Sequence, residues 1–128
     1  MTKFSKEWLK QAKYDLATAK TLFEGKRYIY SVFMCHLSIE KALKGIYLQN
    51  LKTPPPKIHN LLNLYDDIKL SLPPDLYDFM AELNRKSVPT RYPEDLQRMS
   101  KDYNKKTTAV TLQTTEALLK CLTKEYTK

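Results

Sequence analysis

The side chains able to do chemistry are few. Two histidines, nine tyrosines and four arginines stand among 128 residues. His36, Glu40 and Lys44 recur at i, i+4 and i+8, which places them along one edge of a helix. Glu40 and Lys44 are in the favourable order for an ion pair, a contact that stabilises an exposed helix by about 0.3–0.5 kcal/mol. They read either as such a pair or as a charged stripe lining a cleft. His36 lies among apolar neighbours, so it is either a satisfied core or interface histidine or a proton-transfer group. His59 follows a run of prolines at the start of a helix, where a side chain either serves a helix end or acts as a functional loop residue. Arg91-Tyr92-Pro93 falls in an irregular segment. A planar guanidinium beside an aromatic ring suits phosphate and base contact; the alternative is a loop anchor, with Tyr92 on the core and Arg91 on a carboxylate.

Other chemistries find no support. Gly25 and Gly45 are the only glycines and cannot form a phosphate-binding loop. There is no His-Glu-x-x-His, no nucleophile elbow and no carboxylate pair singled out by spacing. Cys35 and Cys121 read as small buried hydrophobes in a reducing compartment. Two Cys and two His scattered along the chain do not make a four-ligand zinc site. We therefore assign no catalytic residue, metal or cofactor from the sequence.

The elements that must position these residues read as helices. Trp8, Leu9, Ala12, Leu16, Ala19 and Phe23 mark one face of a first helix from about Ser5 to Glu24, with Ser5 as N-cap and Gly25 just past its end. A second helix, from about Arg27 to Leu51, is apolar over most of its circumference and should be central. Thr53-Pro54-Pro55-Pro56 is a stiff connector. Shorter helices follow, from about Ile58 to Leu70 and Asp75 to Arg85, then a loop from Ser87 to Pro93. A last helix should run from Asp95 or Ser100 to Tyr126. It carries two apolar stripes, one of Tyr103, Val110, Ala117, Leu118 and Cys121, the other of Leu112, Leu119 and Tyr126. No sustained period-two alternation argues for strands. The expected fold is all-α, an antiparallel up-and-down bundle of four to five helices forming one domain over residues 1–128.

Composition sets the remaining bounds. The chain is 42% hydrophobic and 28% charged, a globular balance, with no apolar run long enough to span a bilayer and no apolar signal core at its start. A cytoplasmic protein with no membrane contact is expected. The net charge is +8 and uneven: residues 1–52 and 100–128 hold the excess, and residues 53–99 are nearly balanced. A basic surface favours polyanions or an acidic partner, although these charges are dispersed enough to be an ordinary solvated surface.

Four landmarks in order carry a resemblance. They are Trp8, Ala12, Asp15-Leu16 and Ala19; then Glu40-Lys41-Ala42-Leu43-Lys44; then His59-Asn60-Leu61 after the proline connector; and Arg91-Tyr92-Pro93. Together they resemble the small stand-alone HEPN domains of bacteria and archaea over nearly the whole chain. The resemblance implies a homodimer that binds a nucleotide or RNA and works beside a small nucleotidyltransferase, as a toxin–antitoxin-like pair. Many relatives are metal-independent RNases marked by an Arg four to six residues before a His. Here only Arg27 precedes a histidine, with eight residues between it and His36. A binding module is therefore expected rather than an enzyme. The alternatives are an RNase with an unusual site built on His59 or His36, or a pure protein-interaction module. The ligand is expected at His59, Arg91, Tyr92, Glu40 and Lys44. The dimer contact is expected at Leu112, Leu119 and Tyr126, since one of two stripes should be left for a partner.

Overall fold

A computed structural model describes residues 2–128. Among them are helices and connectors and no strand. Helix α1 spans Lys3–Glu24 and α2 spans Tyr28–Leu51. They form an antiparallel hairpin closed by small residues. The Ser38 hydroxyl donates to the Ala12 carbonyl at 2.7 Å, and that of Ser31 to the Ala19 carbonyl at 2.8 Å. Each serine satisfies its hydroxyl on the neighbouring backbone, which keeps a close helix–helix contact free of unpaired polar groups. The N-cap of α1 is Thr2, whose Oγ1 accepts from the Ser5 amide at 3.1 Å; Ser5 itself is buried inside the first turns rather than capping them. Past Gly25, whose φ is −82°, the left-handed residue is Lys26 at φ 62°.

Helix α2 is central, as its wide apolar arc requires. Val32, Cys35, Ile39, Ala42, Leu43 and Ile46 are all buried, and α1 and the later helices pack around it. The proline connector leads to α3, Leu61–Ile68, and then to α4, Pro74–Arg85. The start of α3 is set by Asn60, whose Oδ1 accepts from the amides of Leu62 and Asn63. His59 therefore lies in the connector, just before the cap, and not in the first turn of the helix. The segment expected as a loop contains a short helix, α5, Ser87–Arg91. Pro89 is tolerated there because the first-turn amides of a helix have no intrahelical acceptor.

The expected last helix is three pieces. Asp95 caps α6, Leu96–Met99; Asn104 and Thr107 form a reciprocal capping box that starts α7, Lys105–Thr123; a 3-10 turn, Lys124–Thr127, closes the chain. The inward side of α7 is rich in threonine. Thr111 and Thr115 are buried, and each satisfies its hydroxyl on the carbonyl four residues back, at 3.1 and 2.7 Å. Val110, expected to face inward, is 59% exposed.

The Leu112, Leu119 and Tyr126 stripe corrects the expected dimer surface. Leu119 and Tyr126 are buried in the chain's own core, and Leu112 is packed partly against it. The closing turn carries the Tyr126 ring back onto α2, where its hydroxyl donates to the Ala42 carbonyl at 2.5 Å. Gly45 makes room for this: a Cβ there would stand 2.1 Å from Tyr126 Oη and 2.8 Å from Trp8 Cβ.

Candidate functional site

The edge of α2 that carries His36, Glu40 and Lys44 is where the chain gathers its chemistry. Glu40 is only 3% exposed. A buried carboxylate is costly unless it is paired and hydrogen-bonded, and this one is held from two sides. Lys44 Nζ donates to Oε2 at 3.1 Å from one turn along the helix. His59 Nδ1 lies 3.0 Å from Oε1 and 3.1 Å from Oε2. The far ring nitrogen of His59, Nε2, faces Arg91 Nη1 at 3.2 Å. A guanidinium only donates, so Nε2 accepts and Nδ1–H donates to Glu40. The result is a chain of three groups, Glu40 to His59 to Arg91, running from the interior to the surface.

Each member is positioned by local structure. Asn84 Oδ1 accepts from the Leu61 amide at 2.8 Å, and Asn84 Nδ2 donates to Asn60 Oδ1 at 3.3 Å. That clamp joins the start of α3 to the end of α4 and fixes the connector that carries His59. Arg91 is the last residue of α5, which is anchored by the fully buried Thr90. Its guanidinium carbon lies 5.0 Å from the centroid of the Phe33 ring, on α2. Lys44 Nζ lies 5.9 Å from the centroid of the Trp8 ring. Two aromatic faces thus hold the two cations by their ring quadrupoles.

His36 lies beneath this chain. It is fully buried, with Nδ1 3.8 Å from Glu40 Oε1, and neither ring nitrogen has a hydrogen-bond partner. Burial lowers its pKa to about 4; the nearby Glu40 opposes the shift, and Arg91 and His59 add to it. His36 is thus a neutral imidazole at neutral pH. Burial likewise pushes the Cys35 thiol up to about 11, which makes it a packing group rather than a nucleophile.

Of the residues expected to act together, Glu40, Lys44, His59 and Arg91 converge. Tyr92 does not join them: it is 71% exposed and lines a neighbouring cleft with Val88, Pro89, Arg98 and Tyr103. Arg91 rests on His59 and not on a carboxylate, contrary to the loop-anchor reading. Sequence reasoning left out Phe33 and Trp8 as walls of the site. Phe33 lies seven residues before Glu40, two turns along the same edge, and that spacing could have found it. Nothing in the sequence signals the Asn60–Asn84 clamp. Among the described residues, no group of three or more His, Cys, Asp or Glu side chains could hold a metal ion, and the cations of Lys44 and Arg91 would oppose one here.

An all-α bundle with a polar centre on its middle helix defines the class of protein. The HEPN domain family model matches residues 5–126, so the chain belongs to the HEPN family. Two solved structures share the fold. One is TT1696 from Thermus thermophilus, with 22% identity and a TM-score of 0.81 over 97% of this chain and 99% of that one. The other is ST0689, described as an archaeal HEPN homologue, with 23% identity and a TM-score of 0.73 over 97% and 98%. No curated protein matches the chain.

Proposed function

We propose that this protein is a HEPN-type binding module that holds a phosphate-bearing ligand, a nucleotide or RNA, at the His59–Arg91 edge. The observation that carries the reading is the state of Arg91. It forms no ion pair with a carboxylate among the described residues, its Nε is buried without a partner, and its one hydrogen bond goes to an imidazole. Such a guanidinium is an anion receptor with donors to spare, and charge-assisted hydrogen bonds contribute about 1.5–3 kcal/mol each. The single carboxylate of the site is already shared between Lys44 and His59, so the net field at the mouth is positive. Calorimetric titration with AMP and with a short RNA tests this. Arg91→Ala should weaken binding about ten-fold or more, roughly 1.4 kcal/mol. Binding that is unchanged in the variant would move the site elsewhere.

The pairing with a small nucleotidyltransferase in a toxin–antitoxin-like system, and the homodimer, belong to the same reading and rest on family membership. For the dimer there is also an exposed apolar group beside the site: Val88, Tyr92 and Leu96 are each more than 60% exposed. Val88 and Tyr92 line one cleft, and exposed apolar side chains grouped in this way are a candidate association site. Sedimentation of native protein and of Val88→Asp measures it; a dimer lost in the variant supports this contact, and a dimer retained rejects it.

A second reading has its own observation. Glu40 holds His59 in the tautomer whose Nε2 carries the lone pair, which is how a carboxylate prepares an imidazole as a general base. The Arg-to-His order of the RNase signature is absent from the sequence, yet an arginine does meet a histidine in space, in reversed chain order. Metal-independent RNA cleavage that disappears in His59→Ala would establish the RNase.

A further inference from the structure

His59 turns an acceptor towards the mouth of a site whose other outward groups are donors. Buried Glu40 takes the proton-bearing Nδ1 at 3.0 Å, so Nε2 presents a lone pair. That lone pair lies 3.2 Å from Arg91 Nη1, on a side chain 54% exposed. Arg91 rests on the Phe33 ring and, among the described residues, on no carboxylate, so it can yield this bond to a ligand. The groups that face His59 are Glu40, with His36 and Lys44 beside it on α2, and Arg91 on α5; Asn60 and Asn84, at α3 and α4, are uncharged. Glu40 is turned to Nδ1 and to Lys44, and His36 is fully buried. Once Arg91 turns to a ligand, the donor for Nε2 must come from that ligand or from solvent.

We propose that this edge selects a terminal phosphate, a phosphomonoester that carries its own proton, over the internal phosphodiester of a nucleic-acid chain. The inference rests on the phosphate site proposed above and names the chemical class that the site takes. A phosphomonoester loses its second proton near pH 6, so close to neutrality part of it is P–OH. That hydroxyl donates to Nε2 while the anionic oxygens accept from Arg91, and the bound state holds one proton between phosphate and imidazole. The dianion reaches the same state by taking the proton from solvent. A diester has no such hydroxyl: its single negative charge meets Arg91, and Nε2 is left to water. The monoester thus makes two charge-assisted contacts where the diester makes one.

AMP and its phosphate methyl ester differ only at that hydroxyl. Both are titrated calorimetrically into the full chain at about pH 7.5, above the ordinary pKa of a phosphomonoester and of an imidazole. Two buffers of different ionisation enthalpy count the protons. AMP should bind about ten-fold or more tightly than the ester. It should take up close to one proton, and the ester none, so AMP affinity should fall by up to about ten-fold per pH unit above this point. His59→Gln keeps a donor for Glu40 but presents an amide oxygen too weakly basic to hold the proton; both the preference and the uptake should vanish. A 5′-phosphorylated RNA set against its 5′-hydroxyl form distinguishes the carriers: a preference in both pairs points to an RNA end, and in the AMP pair alone to a free nucleotide. Equal affinity for AMP and its ester, both weakened by Arg91→Ala, would overturn the terminal-phosphate inference and leave the phosphate site standing. Affinities indifferent to Arg91→Ala would remove the site and the inference together.

Discussion

At Ala42 and Gly45, α2 meets Tyr126 and Trp8 with nothing left over. At Glu40, less than a turn earlier, it meets His59 and, through His59, Arg91, and there it has donors to spare. The first contact is closed: the Tyr126 hydroxyl is buried and spent on a carbonyl, and the missing Cβ of Gly45 is filled by its neighbours. Burial accordingly pushes the Tyr126 pKa up, which keeps its hydroxyl protonated on the carbonyl. The second contact is open: His36 has two unpartnered nitrogens, Arg91 has an unpartnered Nε, and His59 has a side chain 54% exposed. One helix thus carries both a structural lock and the polar centre proposed as a receptor. What separates them is how completely the polar groups are satisfied within the chain.

Substitutions can pull the two contacts apart. The largest effect should come from Leu119→Asp, which buries a charge in the core that the closing turn completes. We expect a loss of about 4 kcal/mol in denaturant unfolding. A loss below about 1 kcal/mol would mean that the α7 stripe is not core. Gly45→Ala is next. Its Cβ would collide with Tyr126 Oη and Trp8 Cβ, and overpacking of this kind costs about 1–3 kcal/mol. Ligand affinity should change little in the folded fraction, because Trp8 meets the site only through Lys44 and not at His59 or Arg91. If Gly45→Ala abolished binding while folding normally, the lock and the receptor would be one unit.

His36 gives a pH signature. Its folded pKa, about 4, lies below the ordinary 6.5. The unfolded chain therefore binds the proton first. Stability is full above about pH 6.5 and falls as the pH drops towards 4, by on the order of 3 kcal/mol in total. Denaturation at a series of pH values should show this loss in the native chain and a flatter profile in His36→Gln. Arg91→Ala should change stability least, by less than about 0.5 kcal/mol, because Arg91 holds no carboxylate. A much larger loss would make the guanidinium a structural member of the polar centre.

Much of the fold was legible because helical periodicity is strong in α1 and α2. The i, i+4, i+8 spacing of His36, Glu40 and Lys44 alone puts half of the polar centre on one edge. The misses have particular causes. Threonines at Thr108, Thr111 and Thr115 look polar, but two of the three satisfy their hydroxyls on their own helix and all three turn inward, so periodicity misplaces the α7 stripes. Tyr126 reads as surplus surface because a 3-10 turn, which changes the helical phase, carries it back onto α2. The meeting of His59 with Arg91 depends on the Asn60–Asn84 clamp and on a five-residue helix, and long-range hydrogen bonds of that kind leave no periodic trace. Adjacency groups Tyr92 with Arg91, yet neighbouring residues at a helix end point different ways.

The receptor is tested most directly by observing His59 itself. Nitrogen-detected NMR of the imidazole, followed during titration with AMP, reports the state of Nε2. A ligand phosphate that takes up Arg91 should free Nε2 and shift its resonance in the native chain, and Arg91→Ala should abolish the ligand-dependent shift while His59 Nδ1 stays bonded to Glu40. An Nε2 resonance that does not respond to saturating ligand, or that responds identically in Arg91→Ala, would contradict a phosphate site at the His59–Arg91 edge.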